Sequence, residues 1–431
     1  MESFFDVGYE KNLQFSEDPL PVFHSLQKKY SSGLVTVPTV GAGTVNTEFE
    51  ILTGMRQHDF GVSEYPYKTV LKSKTSESIC TDLKKLGYST HAVHNNEATF
   101  YGRNTVFSNI GFDTFCSMEY MNGLTDSPNG WSNDDVLSRE IMKTLDSTSG
   151  PDFTMAITVQ SHGKYDGIAL DDPTIKVTGA PEGKEQAYEY YVNEIHEVDR
   201  MIDTLIKELS NRKEETVLVL YGDHLPSLDI QKDDLSNANL YQTQYVVWDN
   251  MNLKKKTKNL HAYQLYAEVL DRIQIHEGMI TKYHQQTKHR SKLYLTGLTT
   301  LSYDLLYGDN YAYDGENPFK QTELQMGTEP VKLTSVQKTK SGYRVVGSGF
   351  TPYCKVYYDG TLVESEWISS ECLQLQDEFE LDEADKKDSG EPETEVTEPR
   401  DVPNAFVVEV QSDDGVVLSS TQAYPASQVK K

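Results

Sequence analysis

The sequence predicts an α/β protein: a mostly parallel sheet flanked by helices, followed by a C-terminal β-sandwich. Three observations lead there. Apolar runs of strand length alternate with amphipathic helical stretches through the first three-quarters of the chain, an order that covers both faces of a parallel sheet with helices. Polar, chemistry-bearing residues recur just after those runs, where open α/β sheets hold their ligands. From about residue 328 the pattern changes to short alternating segments broken by turns, as in an antiparallel sandwich.

Taken in order, residues 1–6 read as the end of a strand, carrying Glu2. Residues 19–30 read as a short helix with Val22, Leu26 and Tyr30 on one side, and 34–37 as a strand. A glycine turn at Gly41 and Gly43 then feeds a helix whose Val45, Phe49, Leu52 and Met55 recur at helical spacing. Residues 76–86 form a further helix, ended by Gly87. The strand 88–93 runs into His94, with Tyr101 and Arg103 in the following loop. The run 153–159 ends before His162. Tyr191, Ile195, Val198, Ile202, Leu205 and Leu209 step by four and three residues, which marks a long amphipathic helix over 185–210. His196 lies beside that stripe and reads as structural. Residues 216–221 are a buried-type strand leading directly to Asp223-His224. A strand at 245–248 and a helix at 262–273 follow. The domain boundaries expected are 1–327 for the α/β part and 328–431 for a small Ig-like sandwich. An acidic stretch at about 376–403 reads as a disordered insert.

Composition narrows the function. The chain of 431 residues carries a net charge of −26 and 37% hydrophobic residues. That balance argues against a nucleic-acid partner, whose phosphates want a basic surface, and against loose adhesion to anionic lipid, though not against a local cationic site. No run approaches the ~20 apolar residues that span a bilayer, and no signal peptide stands at the start. Cys80, Cys116, Cys354 and Cys372 lack the close spacing of a zinc site. They suit either two within-domain disulfides or four unpaired thiols.

The candidate chemistry centres on Thr44. At a helix mouth its hydroxyl either caps the helix or, activated by a metal or base, attacks phosphorus beside free N–H groups that favour an anion. Asp223 and His224 offer a hard oxygen and an imidazole side by side. With Glu2 and the Thr44 oxygen they make a mixed set suited to Mn²⁺, Zn²⁺ or Mg²⁺. Such an ion would acidify the hydroxyl and polarise a phosphoryl oxygen. His94 and His162 would hold phosphate oxygens or protonate a leaving alkoxide, and Arg103 would pair with phosphate charge.

These stretches also carry a family resemblance. Met1-Glu-Ser-Phe, Gly43-Thr-Val-Asn-Thr-Glu-Phe49, His94-Asn-Asn96, Ser161-His162, Tyr221-Gly-Asp-His-Leu-Pro226 and Asp314-Gly-Glu-Asn-Pro318 occur in order. Over roughly residues 1–325 they resemble the extracellular catalytic domain of lipoteichoic acid synthases, phosphoglycerol transferases of the alkaline phosphatase and sulfatase superfamily. The resemblance implies one Mn²⁺-like ion on Glu2, Thr44, Asp223 and His224. It implies Thr44 as nucleophile, forming a glycerophosphate ester. His94, Arg103 and His162 match headgroup-binding positions, and Tyr101 stands where the family usually has tryptophan. Gly43 replaces the family's usual lysine. The expected donor is a phosphatidylglycerol-like membrane headgroup. The expected acceptor is a glycerophosphate polymer or glycolipid hydroxyl, at the extracellular face of a cell membrane during envelope polymer synthesis. The family's membrane helices are not seen, so the chain reads as a piece of such a protein. Alternatives are phosphoethanolamine transfer, sulfatase-type hydrolysis, weakened by the lack of a Cys-x-Pro-x-Arg signature, and a non-catalytic wall-polymer-binding protein, which retention of the four ligands argues against.

Overall fold

The computed structural model describes residues 1–61, 64–340, 342–376, 379–381 and 399–430. Most of the expected acidic insert, residues 377–378 and 382–398, lies outside the described residues. The chain divides into two compact units. The first comprises residues 1–95, 101–113 and 125–323, and the second residues 96–100, 114–124 and 324–431.

The first unit is α/β. Strand Ser89–His94 pairs in parallel with Asp152–Ile157, so that His94 lies opposite Ile157. A second sheet runs in the order Val217–Tyr221, Gln242–Asp249, Ser31–Thr36, Leu260–His261. Its first two pairings are antiparallel and its last is parallel. The apolar run 217–221 meets a partner, Gln242–Asp249, whose residues beyond Gln242 are buried. The helix Glu185–Asn211 turns its stripe of Tyr191, Ile195, Val198, Ile202 and Leu205 inward, and the helices Pro21–Lys29 and Asp135–Asp146 pack on it. Its Asp199 carboxylate accepts the Val22 and Phe23 N–H groups at 2.9 and 2.8 Å. That satisfies the mouth of the Pro21–Lys29 helix, which has no cap of its own. His196 is structural, its Nδ1 2.8 Å from the Pro19 carbonyl.

Two local readings change. Residues 1–6 form a turn with Ser3 at φ 45° rather than the end of a strand. The turn is held by side-chain bonds to distant residues, which no local pattern encodes. The helix Thr44–Thr53, expected to bury one face, is buried on every side: the helix Ala262–Arg272 packs on it, Arg103 pairs with Glu48, and the Thr47 hydroxyl donates to the Asp223 carbonyl.

The second unit holds two antiparallel sheets. One runs Lys332–Thr339, Gly342–Ser348, Cys372–Leu375, Ser365–Ser369. The other runs Thr361–Val363, Cys354–Tyr358, Ala405–Gln411, Val417–Ser420. Val336, Val345, Leu373, Val356, Phe406 and Val408 from both sheets share one core, the arrangement of a β-sandwich. Earlier chain joins it. The strand Thr114–Cys116 pairs with Gln325–Met326, the Thr351 hydroxyl donates to the Glu119 carbonyl at 2.6 Å, and Tyr120 meets Ser419 at 2.7 Å. All four cysteines are free thiols, which decides between the two readings left open by their spacing.

Candidate active site

Strand Val217–Tyr221 delivers Asp223 and His224, and the turn at residues 1–6 packs against its exit. Gly222 makes this possible, since a Cβ there would fall 1.8 Å from the Phe4 carbonyl oxygen. The Ser3 N–H donates to Asp223 Oδ1 at 2.8 Å, and the Ser3 hydroxyl donates to Glu2 Oε1 at 2.7 Å. The Glu2 N–H donates to Thr158 Oγ1 at 2.7 Å, and the Ser161 hydroxyl donates to the Glu2 carbonyl. Glu2 is thereby pinned to the loop after strand Asp152–Ile157, while the Thr47 hydroxyl, donating to the Asp223 carbonyl at 2.8 Å, ties in the Thr44 helix.

Thr44 is the first residue of its helix. The N-cap is Gly43, in the left-handed region at φ 93°. The Thr44 hydroxyl donates to Glu2 Oε2 at 2.9 Å and lies 3.5 Å from His224 Nε2. It is therefore not the capping group.

Glu2, Asp223 and His224 are buried, and each offers a ligand atom within 4.8 Å of the others. His224 Nε2 lies 3.4 Å from Asp223 Oδ2 and 3.7 Å from Glu2 Oε1. Its Nδ1–H donates to the Leu225 carbonyl at 2.9 Å, which leaves Nε2 facing the carboxylates. Burial acts to lower the His224 pKa, but the charges of Asp223 and Glu2 outweigh it and the net shift is upward. Burial raises Asp223, and Glu2 adds to it. Asp223 Oδ2 is buried without a hydrogen-bond partner. Two crowded carboxylates, one of them with an orphaned oxygen, an imidazole nitrogen and a hydroxyl form a donor set that fits a divalent cation.

His94, Arg103 and His162 make a second group. His94 is buried, and burial, reinforced by the Arg103 charge, holds its pKa well below the usual range. The neutral ring donates from Nδ1 to the Ile157 carbonyl at 2.9 Å, so Nε2 is an acceptor. His162 likewise directs Nδ1 at the Gly163 carbonyl, and its ring packs on Trp131 with centroids 4.4 Å apart. Arg103 is buried and already paired. Its Nη2 lies 2.6 Å from Glu48 Oε1 and its Nε 3.2 Å from Glu48 Oε2. Its guanidinium stands 5.4 Å from the Tyr101 ring. Tyr101, at φ 61°, stacks on Tyr65 at 6.2 Å, and Lys68 lies over both rings. Burial raises the Tyr101 phenol, followed by Tyr65, with Glu2 contributing. That links Tyr101 electrostatically to the first group.

Sequence reasoning missed Glu48, Trp131 and the Ser3, Thr158 and Ser161 supports. Glu48 left a signal: it is an acid four residues after Thr44 in a helix with an apolar stripe. Ser3 and Ser161 stand beside Glu2 and His162 in the quoted motifs without being given a role, and Trp131 and Thr158 are joined to the site only by tertiary contact.

A sequence profile of the Sulfatase family matches residues 1–316. A protein of Rhizobium meliloti (strain 1021), named for modification of cyclic beta-1,2-glucan, is 31% identical over 273 residues, covering 59% of this chain and 42% of that protein. Lipoteichoic acid synthase 2 of Bacillus subtilis (strain 168) is 24% identical over 199 residues, covering 45% and 30%. The chain thus spans less than half the length of these two relatives. Among solved structures, the Streptococcus pyogenes phosphoglycerol transferase GacH, in complex with sn-glycerol-1-phosphate, has the same fold. Its TM-score is 0.62 at 22% identity, covering 74% of this chain and 88% of that one.

Proposed function

This chain belongs to the sulfatase family, and from that premise we propose that it transfers glycerophosphate from a phosphatidylglycerol-like lipid to a hydroxyl acceptor through a Thr44 ester. The observation that carries this reading is the Thr44 hydroxyl at the mouth of a buried helix, 2.9 Å from Glu2 and 3.5 Å from His224. Glu2, Thr44, Asp223 and His224 would hold one divalent ion, with manganese suited to this mix of oxygen and nitrogen donors. When bound, the ion lowers the hydroxyl pKa and polarises a phosphoryl oxygen.

In the first half-reaction the Thr44 proton leaves along its hydrogen bond to Glu2, and Oγ1 forms a bond to phosphorus. The bond from phosphorus to the diacylglycerol oxygen breaks, and that oxygen takes up, through water, the proton that Glu2 received and departs as diacylglycerol. In the second half-reaction an acceptor hydroxyl attacks the same phosphorus, the bond from phosphorus to Oγ1 breaks, and the acceptor's proton passes by way of Glu2 to Oγ1, restoring the Thr44 hydroxyl. His94 Nε2, an acceptor while the ring is neutral, suits a hydroxyl of the glycerol headgroup better than a phosphate oxygen. His162 and Tyr101 line the same pocket in this reading. Arg103, held by both Glu48 oxygens, is charge-compensated and acts as a positioned donor and not as a free cation.

A relative named for glucan modification favours a sugar hydroxyl as acceptor, and a lipoteichoic acid synthase favours a glycerophosphate chain. The reaction belongs at the outer face of a cell membrane, in envelope polymer synthesis. The test is intact-mass and peptide mass spectrometry after incubation with phosphatidylglycerol and Mn²⁺. An adduct of one glycerophosphate on the peptide containing Thr44, discharged by an acceptor sugar, is expected. Turnover with no adduct under rapid quench, and full turnover by Thr44→Ala, would leave direct transfer instead.

A further inference from the structure

Residues 288–303 carry a feature that the transferase reading does not use. Lys288, Arg290 and Lys292 stand together in a chain whose net charge is −26. All three are exposed, and none has an ion-pair partner among the described residues. Leu293 follows at 74% exposure, then the helix Tyr294–Leu306. That helix buries Tyr294, Leu298, Ser302, Leu305 and Leu306. Its solvent side presents Leu295, Thr296, Thr300 and Tyr303, with Tyr303 at 63% exposure. Residues 293–303 contain no charged side chain, although a quarter of the whole chain is charged. The first acid, Asp304, turns its carboxylate to the Tyr311 and Ala312 N–H groups at 3.0 and 2.9 Å.

An ordinary solvent-facing helix carries charge on its outer side. This one carries leucine, threonine and tyrosine, and is preceded by cations. Leucine seeks the acyl boundary, tyrosine the headgroup level, and lysine and arginine the lipid phosphates. We propose that Lys288–Tyr303 is a docking surface for a bilayer rich in anionic lipid. The protein's overall negative charge opposes such a surface at long range. With a Debye length of about 8 Å at physiological salt, distant acids are screened and the local cations act at contact. The exposed acids Asp309, Asp314 and Glu316 lie beyond the helix's C-terminal end. Of the acids nearer the surface, Asp59 accepts the Thr299 hydroxyl at 2.8 Å and is paired with Arg56 at 3.2 Å, and Glu268, which lines a hollow with Lys288, Arg290 and Asp271, is paired with Lys258. The surface is also braced on the active-site helix. Tyr307 packs on Phe60 at 6.2 Å, and Phe60 meets Phe49 of the Thr44–Thr53 helix edge-on at 5.3 Å.

The test is co-sedimentation of the full chain with vesicles of phosphatidylcholine, with and without added phosphatidylglycerol. Binding needs no turnover, so its failure leaves the transferase reading standing, and failure of that reading leaves this one standing. Expected is an enrichment on the anionic vesicles of about tenfold or more. The pair Arg290→Glu with Lys292→Glu should reduce it to the phosphatidylcholine level. Leu293→Ser with Leu295→Ser should weaken binding to both vesicle types. All four positions are exposed, and unchanged thermal unfolding of the variants confirms the fold. Equal binding to both vesicle types, or undiminished binding by the charge-reversed variant, overturns the proposal. So does a concentration-dependent dimer, seen by analytical ultracentrifugation, that Leu293→Ser abolishes, since a second copy would then be the occupant.

Discussion

Thr44→Ala removes the hydroxyl that Glu2 and His224 approach while leaving Gly43 to begin the helix. Turnover is expected to fall by orders of magnitude with the thermal midpoint nearly unchanged, and Thr44→Ser, which keeps the oxygen, should retain part of the rate. Donor cleavage with Mn²⁺ and a melting curve for each variant check both. Arg103 invites a different experiment because it is buried against Glu48. Removing either partner strands a charge in the interior at a cost of about 3–5 kcal/mol, so Arg103→Met and Glu48→Met should each be strongly destabilised in urea unfolding. The double replacement should recover much of the loss. A double variant as weak as the sum of the singles would show that the pair does not act as a unit. Arg103 was legible as a candidate cation, but its pairing was not, because no spacing rule connects position 48 to position 103.

The Thr44–Thr53 helix is held at its far end by Gly54. With φ at 70°, a Cβ there would stand 2.7 Å from Ile280 and 2.8 Å from Tyr266. Gly54→Ala should therefore cost more than about 1 kcal/mol, visible as a lower urea midpoint with an unchanged slope. The same end is fastened by His284 of the helix Met279–Gln286. Its Nε2–H donates to the Gly54 carbonyl at 2.8 Å, and its Nδ1 accepts the Tyr294 hydroxyl at 2.7 Å. Burial lowers this histidine from its usual 6.5 to about 4. The folded pKa is the depressed one, so the unfolded chain takes up the proton first. The stability contributed by neutral His284 is complete above pH 6.5 and drains away as pH falls toward 4, by up to ~3 kcal/mol. Unfolding free energies measured across that window should decline, and His284→Gln should flatten the decline. The periodicity of residues 45–55 marked a helix. It could not show burial on all sides, because the covering helix lies more than two hundred residues later.

At the scale of the whole molecule, we propose that the region from about residue 328 is a separable sandwich that supplies no catalytic group. Its unit also takes in residues 96–100 and 114–124, through Glu119, Tyr120 and the strand Thr114–Cys116. Deleting 328–431 should then lower the thermal midpoint, because those segments lose their partners, while leaving headgroup cleavage measurable in a soluble assay. Complete loss of cleavage by a truncated chain with an intact α/β circular-dichroism signal would refute the separation. What the sequence by itself determined is whatever is written locally: the alternation of apolar runs and amphipathic helices, the glycine turn before Thr44, the Gly-Asp-His exit of a buried strand, and the change of period near 328. Periodicity and turn chemistry act over a few residues, and there the pattern and the backbone agree. Only the tertiary structure decided that the first residues are a turn held by Thr158, Ser161 and Asp223, and that Arg103 is balanced by Glu48. It alone decided that the four thiols stay free, and that chain from before residue 125 completes the sandwich. Each of these depends on side chains brought together across tens to hundreds of residues by the packing of apolar faces, and such packing specifies burial long before it specifies which polar groups will meet inside.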